Sequence, residues 1–183
     1  MMEVTLRVFT EADVPLKVKW INDPRNNRFL HYNLPLEEEA TRNWLRGIQG
    51  RTDRVDLTIL LEGRPVGIIG LLGMDGHSAE LYITVGEDCK GQGIAGKAME
   101  QLLRLGFSWG LHRIYLKTET ENLGAVRAYE KAGFTLEGCL RDELRTPHGY
   151  ASRYLYAMLK EEFEERYGIL HQNANPLSGA ASG

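Results

Sequence analysis

Cysteine is almost missing from this chain: its 183 residues include only Cys89 and Cys139. Two thiols make no disulfide framework. Neither has a second Cys or a His beside it at metal-ligand spacing, so both read as structural and no metal is expected. A charge excess is missing as well. With a formal net charge of -3 and an isoelectric point near 6.0, the chain lacks the basic footprint of a general nucleic-acid binder. No apolar run approaches the roughly 20 residues that cross a bilayer. The opening MMEVTLRVFTEADV puts acids where a secretion signal has basic and then apolar residues. No internal repeat is evident. These absences leave the expectation of a soluble, cytoplasmic protein with no membrane or nucleic-acid partner. The length suits one domain with a real core, expected over residues 1–165. The small, polar ending NANPLSGAASG predicts a flexible tail over 166–183.

What is present is a clear alternation of strands and helices. VTLRVF (Val4–Phe9) predicts a short strand. Thr10 with Asp13 behind it marks a helix start. That helix should reach about Ile21 and stop before Pro24, because the residue before proline resists helical angles. After the polar loop NDPRNNRFLHYNLP, a second helix is expected over Leu36–Arg46, with Glu37, Glu38 and Glu39 in the first turn, where the macrodipole favours acids. VDLTILLEG sets Val55, Leu57, Ile59 and Leu61 on one face of a strand, and PVGIIGLLGM reads as a buried one. SAELYITV alternates Ala79, Leu81, Ile83 and Val85 against Glu80, Tyr82 and Thr84. Short connections make these three a meander. A helix over about Gln92–Trp109 carries the apolar stripe Ile94, Ala98, Met99, Leu102, Leu105 and Trp109. RIYLKT (Arg113–Thr118) is a strand, Leu123–Ala132 a helix capped by Gly133, and FTLEGCLRDEL and RYLYAMLK are two more strands, with a short helix from Phe163. Trp20, Trp44 and Trp109 suit helix packing faces. The class is α+β (mixed α/β), and the strand–helix–strand unit from Glu80 to Thr118 should be parallel by the crossover rule.

One stretch needs a chemical explanation. CKGQGIAGKAM (residues 89–99) places Gly91, Gly93 and Gly96 where a helix is about to begin, although glycine disfavours helix. A helix N-terminus carries unpaired N–H groups and a partial positive charge, and removing side chains lets an anion lie against the main chain. A tight turn with no ligand is the plainer reading of a short glycine cluster. A phosphate-loop hydrolase does not fit, because Lys97 is followed by Ala98 and not by Ser or Thr.

The runs ELYITVGEDCKGQGIAGKAM and KTETENLGAVRAYEKAGF resemble the GCN5-related N-acetyltransferases (GNAT). In the first signature, Gln/Arg-x-x-Gly-x-Gly/Ala, the places are taken by Lys90, Gly93 and Ala95, the lysine being a departure that keeps a positive charge. In the second, Asn122, Ala125, Tyr129, Gly133 and Phe134 match every place. The resemblance covers about Val4 to Lys160. LRVFTEAD and Trp20–Pro24 narrow it to a subgroup holding ribosomal-protein N-terminal, spermidine and nucleotide-linked amino-sugar acetyltransferases.

The resemblance implies a central mixed, splayed sheet of about six to seven strands flanked by helices. It also implies acetyl-CoA as cosubstrate, direct transfer of acetyl to a primary amine of a small molecule, and no metal; it leaves a homodimer open. The backbone of Lys90, Gly91, Gln92, Gly93, Ile94, Ala95 and Gly96 would wrap the pyrophosphate, and Ile83, Thr84 and Val85 would pair with the pantetheine arm. Asn122 would bond that arm, although Asn before a helix is also an ordinary N-cap. Tyr129 would be a general acid toward the departing sulfur. Glu80 is the leading candidate for the base, against a plain edge carboxylate in water. Glu119 is weaker, and the family's occasional glutamate five residues before the motif Asn is here Lys117. Arg28, His31, Tyr32 and Tyr82 are acceptor-pocket candidates. Arg25, Arg28, His31 and Asn33 in one loop suit an anionic acceptor such as a nucleotide-linked amino sugar better than a polyamine. A protein N-terminal acceptor and a non-catalytic coenzyme A sensor are the alternatives.

Overall fold

The computed structural model describes residues 2–170. Chain order is β1 (Val4–Val8), α1 (Val14–Asn22), α2 (Glu38–Ile48), β2 (Arg54–Leu61), β3 (Arg64–Leu72), β4 (Ser78–Val85), α3 (Ile94–Ser108), β5 (Arg113–Glu119), α4 (Leu123–Ala132), β6 (Thr135–Thr146), β7 (Gly149–Leu159) and α5 (Lys160–Tyr167). The strands form one seven-stranded sheet in the order β1-β2-β3-β4-β5-β7-β6. Every neighbouring pair is antiparallel except β4 and β5, the parallel pair that the crossover through α3 requires.

Both faces of the sheet are covered. On one, α3 presses Ile94, Ala98, Met99, Leu102, Leu103 and Phe107 onto the inward residues of β2 to β5, all of them essentially inaccessible. The apolar stripe is rotated from the expected one. Leu103 and Phe107 take central places, while Leu105 and Trp109 only flank the core, because α5 adds Phe163 against Phe107 from the side. On the other face, α1 and α2 bring Val14, Ile21, Trp20 and Trp44 over Phe9 and Ile68. Strand β2 therefore buries both of its faces, and Thr58 is as buried as Leu57.

Two boundaries move for physical reasons. Glu37 is extended, so α2 starts at Glu38, two residues after the expected Leu36. Helix α5 continues to Tyr167, because the Tyr167 hydroxyl donates to the Ala132 carbonyl (2.8 Å) and Arg166 donates to that of Lys131 (2.6 Å). Residues 166 and 167 thus belong to the folded unit and not to a tail, and 171–183 lie outside the described residues. Cys89 flanks the core and Cys139 is exposed, and both thiols are free.

The joint between β1 and α1 rests on one carboxylate. Asp13 is 1 % exposed. It accepts two bonds from Arg7 (2.6 and 2.7 Å), one from the Thr10 N–H (2.9 Å) and one from the Thr58 hydroxyl (2.9 Å). Burial opposes its charge, but the bonds from Arg7, Thr10 and Thr58 outweigh it and hold the carboxyl below its ordinary pKa. A depressed folded-state pKa stabilises the fold above the unfolded value near 3.9, and that contribution is lost as pH falls through the folded value. Asp13→Ala should cost about 2–3 kcal/mol in urea unfolding at neutral pH, since charge-assisted bonds are lost while Arg7 can regain water. The deficit should shrink as the medium is taken below pH 4. A loss that stays constant across that range would show that packing, and not charge, fixes the joint.

Candidate functional site

The parallel pair β4–β5 holds together over only three rungs, Ser78↔Arg113, Ala79↔Ile114 and Glu80↔Tyr115. Both strands then continue without pairing to each other, β4 to Val85 and β5 to Glu119. Each keeps its outer side zipped, β4 to β3 as far as Val85 and β5 to β7 as far as Glu119. The result is a fork. At about 3.3 Å per residue it is roughly 13 Å long, and the main chain of Leu81–Val85 borders it with no strand partner on that side.

The glycine segment forms one lip. Gly91 and Gly93 adopt left-handed backbone angles (φ 76° and 77°), which L side chains rarely accept. A Cβ built on Gly91, Gly93 or Gly96 meets no atom within 4 Å, so these glycines do not serve internal packing and their surroundings are open. Gly93 opens α3, and its carbonyl takes the Lys97 N–H. That leaves the amides of Ile94, Ala95 and Gly96 without helical partners. The Ile94 side chain is locked in the core, which fixes the direction of those amides. Lys90 adds a cation, paired with Glu87 at 2.6 Å. Gln92 reaches the Asp88 carbonyl at 3.4 Å. Unpaired amides, a helix N-terminus, open space and a nearby cation fit a phosphate-bearing ligand.

The other lip is the end of β5 and the start of α4. Asn122 caps α4, its Oδ1 accepting from the Ala125 N–H at 3.2 Å, which leaves its amide donors free among the described residues. The Tyr129 ring packs against Phe134 and Tyr156, with centroids 6.1 and 6.3 Å apart. Its hydroxyl has no protein partner among the described residues, and burial pushes its pKa up to about 12. Glu80 stands on the last paired rung, partly exposed, with no ion pair among the described residues.

The profile of the acetyltransferase (GNAT) domain family matches residues 3–135. The chain belongs to the GNAT acetyltransferase family. It is an N-acetyltransferase that acts on amines, and the enzymes of this family use acetyl-CoA. The chain is similar to the uncharacterized N-acetyltransferase p20 of Bacillus licheniformis, 23% identical over 87% of this chain and 94% of the relative. It is also similar to the spermidine N(1)-acetyltransferase of Vibrio cholerae, 27% identical over 77% of this chain and 84% of that one. Among solved structures, spermidine N-acetyltransferase from Vibrio cholerae in complex with CoA and spermine superposes with a TM-score of 0.81 at 22% identity, covering 87% of this chain and 97% of that one. A dodecameric structure of the Vibrio cholerae enzyme gives 0.77 at 23% identity, covering 90% of this chain and 98% of that one. The splayed sheet expected from the motifs is thus the sheet observed.

The loop between α1 and α2 lies across the fork of this acetyltransferase. Arg25 bonds Asp23 (2.7 Å) and Asp88 (3.0 Å), the latter beside the glycine lip. Arg28 pairs with Glu121 at 3.5 Å, and His31 Nε2 meets Glu119 Oε1 at 2.7 Å, both on the β5 lip. Both arginines expected to favour an anion thus face carboxylates instead, through solvent-exposed pairs. Tyr82 is engaged as well. It shares a face with Glu80, but its hydroxyl is buried and donates to Asp56 Oδ1 at 2.5 Å. Asp56 in turn is clasped by Arg54 through two bonds of 2.7 Å. Tyr82 therefore packs against the α1/α2 cluster, with its hydroxyl committed to Asp56.

Tyr32 stacks toward an ammonium that sequence reasoning overlooked. Lys17 is 5 % exposed and lies 3.4 Å from the Trp44 ring centroid, with Phe9 at 5.7 Å and Tyr32 at 6.0 Å. Burial lowers its pKa to about 8, Asp56 opposing. The signal was there: Val14, Lys17 and Ile21 share one helical face, and both neighbours are wholly buried.

Tyr82→Phe should destabilise the fold by about 1–2 kcal/mol, the cost of one lost bond to a buried carboxylate, and leave the KM for the acceptor within twofold. Urea unfolding and steady-state kinetics on the same sample check this. A tenfold rise in KM with unchanged stability would return Tyr82 to the acceptor site.

Proposed function

We propose that this acetyltransferase transfers the acetyl group of acetyl-CoA to a primary amine of a polyamine-like polycation. The observation that carries this reading is the charge state of the fork. Its basic side chains Arg25, Arg28, Lys90, Lys117 and Arg153 are all in ion pairs, while the Glu80 carboxylate at its apex is in none among the described residues. An unpaired carboxylate beside the reaction path favours an ammonium and disfavours a nucleotide-linked sugar. The loop bonded to both lips supports a small acceptor over a protein terminus, which needs an open groove. The spermidine acetyltransferases among the relatives agree. A long edge strand, β6, together with the dodecameric neighbour, supports self-association.

Acetyl-CoA supplies an activated acetyl group on sulfur. The chain's part is to hold it and manage charge. The amides from Lys90 to Gly96 would receive the pyrophosphate, the free main-chain edge of Ile83, Thr84 and Val85 would pair with the pantetheine arm, and the Asn122 amide would donate to it. Glu80 would hold an ammonium of the acceptor. The role of Tyr129 follows from its environment. Burial raises the phenol pKa, so the hydroxyl stays protonated at working pH and would serve as the donor to negative charge developing on sulfur.

Two measurements test this reading. In competition for limiting enzyme, spermidine should outrun a nucleotide-linked amino sugar in kcat/KM by at least tenfold, followed by thiol release. The reverse order would overturn the polyamine assignment. Tyr129→Phe should lower kcat about 10–100-fold, the loss of one oriented donor, with coenzyme A affinity by calorimetry unchanged within twofold. Because the phenol stays protonated to about pH 12, the wild-type profile should show no Tyr129 limb below pH 10. Full turnover in the Phe variant would reduce Tyr129 to a packing residue.

A further inference from the structure

We propose that His31, oriented by Glu119, takes the proton from the acceptor ammonium. The inference rests on the amine acetyltransfer reading and names the base that reading lacks. An alkylammonium with a pKa near 10.4 is only about 1 part in 2,500 neutral at pH 7, so an amine bound as a cation needs a group to deprotonate it before its nitrogen can attack.

The geometry points to His31 for three reasons. Glu119 is the last residue of β5, at the open end of the fork, and alternates onto the same face as Tyr115 and Lys117, away from the α3 core that holds Ile114 and Leu116. Its side chain is 12 % exposed, and its one ionic partner among the described residues is His31 at 2.7 Å. The cations that could have taken it are engaged elsewhere. Arg153, directly opposite Glu119 on β7, bonds Glu143 instead. Lys117 also pairs with Glu143, and Arg28 with Glu121. A carboxylate left with an imidazole as its sole partner is the arrangement that fixes a histidine tautomer and makes it a better base. With Nε2–H donating to Glu119, Nδ1 is left as the acceptor. His31 itself is 37 % exposed, so substrate can reach it. An imidazole is also a stronger base than a carboxylate by roughly two pKa units and nearer to working pH. That leaves Glu80 to bind charge and His31 to remove a proton. The other titratable groups around it are Arg28 and Tyr32 on its own loop, Glu121 and Lys117 on the β5 side, Arg153 on β7 and the buried Lys17 on α1.

The proton balance closes. The ammonium gives one proton to Nδ1. Its freed electron pair forms the C–N bond to the acetyl carbon, and the C–S bond breaks with its pair remaining on sulfur. The second proton of the nitrogen ends on that sulfur, and His31 passes its own to water. One proton leaves per turnover, and no oxidant or further reactant is needed.

The test uses the full chain with spermidine and acetyl-CoA. His31→Gln, whose amide can still bond Glu119, should lose about 100-fold in kcat/KM at pH 7, within the usual range for general base catalysis. It should also lose the acid limb of the pH profile, its residual rate rising with pH as the amine deprotonates itself. Added imidazole should restore part of the rate in His31→Gly. Glu119→Gln removes the carboxylate that orients the imidazole, so kcat/KM should fall about tenfold while coenzyme A affinity stays within twofold. A readout free of turnover comes from nitrogen NMR of the cofactor-free protein. Neutral His31 should carry its proton on Nε2, and the Nδ1–H tautomer should become populated in Glu119→Gln. A profile in His31→Gln within twofold of wild type, or an Nδ1–H tautomer in the wild type, overturns the proposal alone. If no amine is acetylated at all, the acetyltransfer reading falls and the proposal with it.

Discussion

The three-rung pairing of β4 and β5 is the constraint on which the site depends. A parallel pair that stopped any later would close the fork with main-chain bonds. One that stopped earlier would let the two halves of the sheet part. The pair ends where it does without collapsing because each strand is held from outside, β4 by β3 and β5 by β7. The separation is therefore a property of the whole sheet. It also places the elements that follow. The turn after β4 delivers the start of α3 to one lip, and the turn after β5 delivers Asn122 and α4 to the other.

The opposite face of β4 explains why the fork has a rigid wall. Tyr82 is clamped by Asp56, which Arg54 holds in turn. Room for its ring comes from Gly70, where a Cβ would lie 2.5 Å from the ring. One of the glycines in PVGIIGLLGM is thus a packing device serving Tyr82, whereas those of CKGQGIAGKAM face open space. The same residue type does opposite work in two segments separated by one strand, and only three-dimensional surroundings tell them apart.

This distinction marks what could be read in advance. Alternation in SAELYITV assigns faces, and Asn122 to Gly133 carries its own start and stop signals, so α4 matches its expected ends residue for residue. Periodicity names a face but not the partner across it. Glu80 and Tyr82 share a face, yet one ends in solvent and the other in a carboxylate clamp two strands away. The loop before α2 misleads for the same reason. Arg25, Arg28 and His31 read as a positive cluster, but the acids that neutralise them, Asp88, Glu119 and Glu121, lie more than fifty positions later in the chain. Composition within a loop carries no information about such distant partners.

Those pairings give the loop a double character. Its contacts to both lips are exposed ion pairs, and such pairs contribute little to stability in water because solvation and side-chain entropy offset the attraction. The loop is therefore positioned without being locked, since water and dissolved ions compete for Asp88 and Glu121 with the arginines that occupy them. Glu119 differs, being nearly covered and matched to an imidazole. On the proposed reading, an acceptor cation would compete with the arginines for the exposed carboxylates and give its proton to the shielded carboxylate–imidazole pair. The same loop thus joins readily exchanged, exposed contacts at Arg25 and Arg28 to one shielded contact at His31.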